Sequence, residues 1–178
     1  MCIRDRVYAI EIQNEKAKLF NENLNLNEIS NIEIINKDLN EVDLGNNIAD
    51  YIITNPPYYK ITDNIQNKSE EFLVSRQEKY LTLENIFDFA NKALKDKGKL
   101  FMIHKPERMV DIFKSSGNLK AKRIRFVQST FDKKPQFILI EFVKNANDGL
   151  KIENPLIIYE NGGYLSLIHI SEPTRRRG

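Results

Sequence analysis

The sequence predicts an α/β protein built on an open, mostly parallel β-sheet with an antiparallel hairpin at one edge. Two observations lead to this fold class. Short apolar segments of strand character alternate with segments of helical periodicity, and the last two strand-like segments are separated only by a short polar turn. With 178 residues, of which 41% are hydrophobic and 29% charged, the chain has the composition of one globular domain.

The predicted elements follow one another in the order that this fold requires. The predicted strands are residues 7–12, 32–35, 50–54, 99–104, 123–129 and 137–144, and the predicted helices are residues 15–26, 82–94 and 107–116. Prolines after Asn55 stop the third strand, Gly98 ends the second helical region, and Pro106 marks the start of the third helix. Residues 59–80 form a long polar connection, which is typical of a functional or mobile loop.

Two of the helices have apolar faces that can be read from the sequence. In the first helix, five side chains supply much of the apolar face: Ala17, Leu19, Phe20, Leu24 and Leu26. The second has a clearer stripe, formed by Leu83, Ile86, Phe87, Ala90, Ala93 and Leu94. Thr82 precedes this stripe and can cap the helix.

The two ends of the chain match one DNA adapter read on opposite strands. Residues 165–171 can be encoded by CTGTCTCTTATACACATCTCC, whose reverse complement, read from its ATG, encodes residues 1–5 and begins a codon that suits Arg6. This string resembles a transposon-end sequencing adapter. We therefore expect residues 1–6 and 165–178 to be adapter-derived, and residues 7–164 to form one partial domain.

Without these ends, several functional classes are excluded. The ends carry five basic and two acidic residues, so that the segment 7–164 retains 22 basic and 23 acidic residues, a formal net charge of −1. Cys2 and His169 also lie in the ends, and a segment with no Cys and one His excludes a thiol nucleophile and a Cys/His zinc site. No apolar run approaches the ~20 residues of a membrane helix. We expect a cytoplasmic protein with no membrane association and no metal.

The most informative motif, Asn55-Pro56-Pro57-Tyr58, follows the third predicted strand, where open α/β sheets bind ligands. The prolines lack N–H donors, so nearby carbonyl oxygens and the Asn55 amide oxygen can form a cup of acceptors. Such a cup suits an –NH2 group, and Tyr58 offers a ring for stacking. The chemistry that fits is methyl transfer to an amine from a sulfonium donor, aided by acceptors that stabilise the charge developing on nitrogen. The alternative is a rigid turn after a core strand.

Two acids lie at the ends of the first two predicted strands and point to a cofactor that resembles a nucleotide. Glu11 is placed to bind ribose hydroxyls, and Asp38 could accept from an adenine amine. Either acid alone could be a solvated charge at a strand end. Their position at the same sheet edge as Asn55 favours a shared site.

Several segments carry a specific resemblance. AIEIQ (9–13), KDL (37–39) and TNPPYY (54–59) resemble class I S-adenosylmethionine-dependent methyltransferases of the Asn-Pro-Pro-Tyr group. Four later segments are similar to the tRNA adenine-N6 methyltransferase family, which modifies the adenosine just 3′ of the anticodon in a valine tRNA. They are TLENI (82–86), HKPER (104–108), KRIRFV (122–127) and PLIIY (155–159).

This resemblance implies a Rossmann-like methyltransferase sheet, S-adenosyl-L-methionine as cofactor and a tRNA partner whose target adenine is flipped into the site of a monomeric enzyme. Carried over, Asn55 and the Pro56 carbonyl would hold the N6 amine, with Pro57 and Tyr58 completing the catalytic motif. The cofactor site would comprise Asn55 with three further residues: Glu11, Asp38 and Leu39.

One departure from the family pattern is large. The first strand and the Gly-rich cofactor loop of the family are absent before residue 7, and that strand lies in mid-sheet between the strands that end near Glu11 and Thr54. We therefore expect the chain as written to be poorly stable and inactive.

The residues alone are compatible with two other functions. The same cup could present a protein glutamine amide, as in release-factor methyltransferases, or the chain could be a noncatalytic RNA-binding remnant. Basic residues that could meet RNA phosphates, or simply keep a strand edge charged, are Lys120, Lys122, Arg123 and Arg125. The loop 59–80 carries four more: Lys60, Lys68, Arg76 and Lys79. His104 could face the substrate or be a loop residue.

Overall fold

A computed structural model describes residues 6–58, 81–160 and 163–164. The helices are α1 (Asn14–Leu26), α2 (Leu83–Ala93) and α3 (Met109–Ser115). The strands are β1 (Val7–Ile10), β2 (Ile32–Ile35), β3 (Ala49–Thr54), β4 (Leu94–His104), β5 (Leu119–Gln128), β6 (Phe137–Lys144), β7 (Lys151–Ile152), β8 (Leu156–Ile157), β9 (Tyr159–Glu160) and β10 (Gly163–Tyr164). Short 3₁₀ turns cover Leu39–Glu41 and Pro106–Arg108. The predicted α/β class is confirmed.

The strands of the described residues form a sheet in separate pieces. The main sheet has the order β3-β4-β6-β5-β7, with β8 also paired to β5. β1 and β2 form a parallel pair of their own, and β9 pairs with β10. No ladder joins β1 to β3 in the described residues, so a gap lies between the two pieces.

The hairpin predicted at one side of the sheet is present. β5 and β6 are antiparallel, and β6 also pairs antiparallel with β4, while β3 and β4 are parallel. The return strand β6 therefore lies inside the sheet, between β4 and β5, and not at its edge. This agrees with its apolar sequence, because a strand with neighbours on both sides and covered faces has little contact with water.

The core lies between one face of the main sheet and helix α2. Every side chain of the predicted α2 stripe is buried. The rings of Phe87 in α2 and Phe142 in β6 meet edge to face, with centroids 5.1 Å apart. Thr82 caps the helix in a capping box with Asn85, as the sequence predicts. This helix and the strands beneath it fix the position of the carboxyl end of β3.

Helix α1 corrects one prediction. Ala17 and Leu24 are buried and Phe20 is half-buried, but Leu19 and Leu26 are 58% and 80% exposed. The buried side chains are spaced by three and four residues and share one side of the helix. Leu19 and Leu26 are displaced from that side by about 200° at 100° per residue, so they face away from the sheet.

The start of β4 is a second difference from prediction. The strand begins at Leu94, directly after α2, and contains an irregularity in its pairing with β3 before regular pairing resumes at Lys99. Lys97 has φ +60° within it, and a Cβ on Gly98 would come within 2.9 Å of the Lys95 carbonyl oxygen. Gly98 thus permits a tight bulge in the strand and does not end the helix.

No helix in the described part of the chain has the length and apolarity that crossing a membrane requires.

Candidate active site

The Asn55–Tyr58 segment continues directly from the carboxyl end of β3. The last residue of β3, Thr54, pairs with Met102 of the neighbouring parallel strand β4. Asn55 is exposed, Pro56 is buried, and Pro57 and Tyr58 are half-buried. Because neither proline can donate to a ladder, β3 ends here and the segment turns along the sheet edge. The sequence therefore places the motif correctly.

The motif separates two clefts. Asn55 and Pro57 line a cleft of about 1400 Å³, which we name the β1–β3 cleft, together with Glu11, Asp38 and Leu39. All predicted cofactor residues therefore border one space. The volume exceeds the roughly 300–1,000 Å³ of ordinary ligand pockets, because the cleft also includes the gap between β1 and β3.

Glu11 and Asp38 are partly engaged by their own backbone. One carboxylate oxygen of Glu11 accepts from the Gln13 N–H at 2.8 Å. One oxygen of Asp38 accepts from the N–H and the side-chain amide of Asn40, both at 2.9 Å, and caps the following 3₁₀ turn. Each acid is thereby held at the cleft and keeps its second carboxylate oxygen for other donors.

Tyr58 faces the other side of the motif. It lines a second cleft, of about 850 Å³, which we name the Tyr58 cleft and whose cationic lining comprises Lys105, Arg108, Lys133 and Lys134. The hydroxyl of Tyr58 donates to Oδ1 of Asn55 at 2.5 Å. An incoming amine would have to share or replace this bond, since an amide oxygen has two lone pairs.

An aromatic and cationic cluster surrounds the Tyr58 ring. The rings of His104 and Phe137 lie with their centroids 5.5 Å from that of Tyr58. Lys105 Nζ lies 4.1 Å from the centre of the Phe137 ring and 5.6 Å from that of Tyr58. These contacts fix the ring in the wall of the cleft and place a cation beside it.

Arg108 connects the motif to helix α3. Its Nε donates to Asp111 at 3.0 Å, and Nη1 donates to the Tyr58 carbonyl oxygen at 3.4 Å. Arg108, Lys105 and Phe137 were not predicted from the sequence to have a role of their own. The available signal was the resemblance of residues 104–108, but without the fold that segment could not be placed beside Tyr58.

His104 belongs to the core and is not a loop residue. It is 1% exposed at the end of β4, and its Nδ1 accepts from the Lys105 N–H at 2.8 Å. Burial, reinforced by the nearby Arg108 guanidinium, lowers the pKa of His104 to about 4. The imidazole is therefore neutral at pH 7 and supports the Tyr58 ring.

The basic residues of β5 are committed to contacts within the chain. Arg123 donates to Glu141 and Lys120 pairs with Asp148, while Lys122 and Arg125 donate to carbonyl oxygens of the 147–154 region. The strand is also flanked by β6 on one side and by β7 and β8 on the other. These contacts favour a structural role for the four residues. The predicted loop 59–80 lies outside the described residues, as do residues 1–5 and 165–178.

Glu141 makes the most buried of these ion pairs. Burial alone would raise the pKa of its carboxyl group, but hydrogen bonds from Arg123 and Lys99 outweigh burial and leave the pKa below its usual value. The carboxylate is 2.5 Å from Arg123 and 3.2 Å from Lys99. Among the described residues, no group of three or more His, Cys, Asp or Glu is arranged to hold a metal ion.

Comparison with solved structures defines the class of fold. The chain matches a predicted O-methyltransferase from Agrobacterium tumefaciens over 92% of its length and 75% of that protein, with a TM-score of 0.71 and 17% identity. It matches a SAM-dependent methyltransferase from Aquifex aeolicus over 78% of its length and 69% of that protein, with a TM-score of 0.55 and 15% identity. The fold is that of the class I S-adenosylmethionine-dependent methyltransferases.

Sequence comparison identifies relatives of more specific activity. Curated homologues from two strains of Porphyromonas gingivalis, each a tRNA1(Val) (adenine(37)-N6)-methyltransferase, are 28% and 27% identical over 136 residues. The alignments cover 73% of this chain and 52% of each relative, so the chain spans about half the length of the curated relatives it matches. No protein-family model matches the chain. The resemblance to tRNA adenine-N6 methyltransferases is confirmed by these homologues.

Proposed function

We propose that the intact gene product transfers a methyl group from S-adenosylmethionine to N6 of an adenine in tRNA, at the anticodon-loop position next to the anticodon. One observation carries this proposal. The Asn55–Tyr58 motif lies between a cleft whose lining includes the carboxylates of Glu11 and Asp38 and a cleft lined by an aromatic ring and cations. The names of the curated relatives support tRNA as the substrate.

The residues of the β1–β3 cleft fit the adenosine part of the cofactor. Glu11 and Asp38 each keep a carboxylate oxygen for donors, which suits ribose hydroxyls and an adenine amine, and Leu39 offers an apolar contact. When bound there, S-adenosylmethionine would supply an electrophilic methyl group on a sulfonium. The described residues offer no Gly-rich turn at this cleft, so we propose that the chain as written binds the cofactor weakly and is inactive.

The chain's own contribution to catalysis is to hold the substrate amine. The Asn55 side-chain oxygen and the Pro56 carbonyl accept the two amine hydrogens, so that the nitrogen lone pair is directed away from them. As positive charge develops on nitrogen, these oriented acceptors stabilise it. A single such contact is worth about 3 kcal/mol by analogy with oxyanion-hole donors. Tyr58 stacks on the flipped base.

Methyl transfer to extracted tRNA tests the proposal. The gene product is expected to methylate adenine N6, and Asn55→Ala to lower the rate by roughly 100- to 1,000-fold because an oriented acceptor is lost. Asn46→Ala is the matched control, because Asn46 is an exposed asparagine outside both clefts. Methylation of a release-factor glutamine in place of tRNA would assign the cup to a protein amide. No transfer to either substrate, with RNA binding unchanged in Asn55→Ala, would indicate a noncatalytic RNA-binding protein.

We also propose the native limits of the protein. Residues 1–6 and 165–178 derive from the adapter, and residues 7–164 are part of a monomeric, cytoplasmic methyltransferase that functions without a metal. Resequencing the locus across both junctions tests this. Independent reads should replace both adapter segments with other coding sequence, and reads that reproduce the adapter-matching segments would contradict the proposal.

A further inference from the structure

The Tyr58 cleft concentrates positive charge in a segment that is nearly neutral overall. Four cationic side chains and one carboxylate, that of Glu107, line it. The segment 7–164 as a whole has a formal net charge of −1. The excess of cations is therefore local to the side of the motif on which Tyr58 lies, and a local excess of this kind attracts anions.

Three of these cations are available to a ligand. Arg108 is engaged by Asp111 and the Tyr58 carbonyl. Lys133 lies 3.8 Å from Asp132, and both side chains are well exposed, so this pair is weak. Within the described ranges, no carboxylate lies at ion-pair distance from Lys105 or Lys134.

The loop that carries two of these lysines has a well-defined conformation. It joins β5 to β6 across residues 129–136. Thr130 Oγ1 donates to Asp132 at 2.6 Å, Gln128 Nε2 donates to the Lys133 carbonyl at 2.5 Å, and the Gln136 N–H donates to the Val127 carbonyl at 2.8 Å. Lys133 and Lys134 are thus presented by a loop that is already ordered, which lowers the entropic cost of binding.

The same loop exposes a large aromatic side chain. Phe131 is 84% exposed, although Phe ordinarily gains stability from burial. An exposed ring beside lysines is the combination that single-stranded nucleic acid uses, since bases stack on the ring and phosphates meet the cations.

We propose that loop 129–136 and Lys105 form the element that holds single-stranded RNA beside the target adenine. Lys105, Lys133 and Lys134 contact phosphates that flank the flipped nucleotide, and Phe131 stacks on a neighbouring unpaired base. This proposal rests on the proposed function, because it takes the Tyr58 cleft to be the substrate side of the motif.

The test measures RNA affinity against salt concentration with the gene product and an anticodon stem-loop RNA. In the double variant Lys133→Ala/Lys134→Ala, the slope of log K against log salt is expected to fall by about 0.7–0.9 per lysine. KM for RNA should rise about tenfold or more with little change in kcat. Phe131→Ala should weaken RNA binding by roughly 5- to 150-fold with the salt slope retained. The control Lys18→Ala/Lys95→Ala removes exposed lysines outside both clefts and should leave slope and KM unchanged.

Three outcomes separate this inference from the proposed function. An unchanged slope and KM in the double variant, while Asn55→Ala still abolishes methylation, would overturn the role of the loop and leave the methyltransferase assignment intact. Loss of slope in a protein that methylates no RNA would support the loop as an RNA contact and contradict the proposed reaction. An acidic peptide is the alternative ligand for these cations. If the double variant loses affinity for such a peptide while its affinity for RNA is unchanged, the inference is overturned. Circular dichroism, together with the charge-reversal variant Lys133→Glu/Lys134→Glu, distinguishes lost contacts from lost folding.

Discussion

At the scale of single residues, the central feature is the bond between the Tyr58 hydroxyl and Asn55 Oδ1. It joins the two side chains to which sequence reasoning assigns different tasks, stacking and acceptance of the amine. Contacts with His104 and Phe137 and the bond of its own hydroxyl hold the Tyr58 ring in one orientation, as the proposed stacking role would require. Under the proposed function, the hydroxyl would compete with the substrate amine for the Asn55 oxygen, so we expect the ring and the hydroxyl of Tyr58 to have separable effects.

Two variants of Tyr58 separate these effects. Tyr58→Ala removes the stacking ring and is expected to lower kcat/KM for tRNA by roughly 5- to 150-fold. Tyr58→Phe keeps the ring and releases the Asn55 oxygen, so its kcat/KM should remain within about tenfold of the wild type, the worth of roughly one ordinary hydrogen bond. Steady-state methylation of tRNA measures both. Equal losses in the two variants would show that the hydroxyl, and not the ring, is the important group.

His104 makes stability depend on pH. Its pKa is about 4 in the folded protein and near 6.5 when unfolded, so the unfolded state binds the proton more readily. The unfolding free energy is therefore expected to fall as pH is lowered from about 6.5 towards 4, by an amount on the order of 1–3 kcal/mol. Urea unfolding at pH 7 and pH 5 should show a larger difference for the wild type than for His104→Gln. The carboxylates contribute equally to the pH dependence of both proteins. If wild type and His104→Gln show the same difference between pH 7 and pH 5, His104 is not its cause.

At the scale of elements, Lys144 ties three segments together. Its Nζ donates to Oδ1 of Asn47 before β3, to the carbonyl of Asn91 in α2 and to that of Leu94 at the helix end. A lysine at this position satisfies carbonyls that the end of a helix leaves without partners and complements the helix dipole. The bond network therefore fixes α2 against the strand that carries the active-site motif.

Lys144→Met tests this tie. The substitution keeps the length of the side chain but removes a charged donor from half-buried carbonyls, and it is expected to lower the unfolding free energy by about 1.5–3 kcal/mol. Lys18→Met on the exposed side of α1 is the control and should change it by less than about 0.5 kcal/mol. Urea unfolding measures both variants. A similar small change in each would mean that the network adds nothing to stability.

At the scale of the whole molecule, the gap between β1 and β3 has the largest consequences. Ile53 and Tyr51 of β3 are 83% and 67% exposed, although Ile52 between them packs on the core. Exposed apolar side chains give up burial worth about 25 cal/mol per Å², and the edge of β3 that has no partner strand in the described residues is open to association. Stability and cofactor binding therefore depend together on what fills this space.

The chain as written and the gene product should differ accordingly. We expect the gene product to unfold with a larger urea m-value and a higher midpoint, because m rises with the surface that becomes exposed. S-adenosylmethionine should give a clear binding heat with the gene product and a much weaker one with the chain as written. Tight binding of S-adenosylmethionine to the chain as written would show that Glu11, Asp38 and Asn55 suffice for the cofactor site.

Local sequence alone determined the elements with strong signals and the motif at the end of β3. Apolar periodicity, the Thr82 cap and the Pro-Pro stop are local physical constraints, so they predicted the six longer strands, helix α2 and the position of Asn55 without the fold. The two-residue strands β7 to β10 were not predicted. The buried side of α1 was less well predicted. Apolar residues occur on more than one side of this helix, so only packing against the sheet decides that Leu19 and Leu26 are exposed.

Only the tertiary structure decided which residues lie around Tyr58. Glu11, Asp38 and Asn55 could be grouped from the sequence because parallel strands end at one sheet edge, a rule that follows from topology. Lys105, Arg108, Lys133 and Phe137 could not, because they come from different elements whose proximity depends on β6 lying between β4 and β5. His104 likewise became a core residue through packing that no local pattern encodes. Contacts between residues distant in sequence depend on the folded arrangement, and for that reason the Tyr58 cleft could be defined only from the tertiary structure.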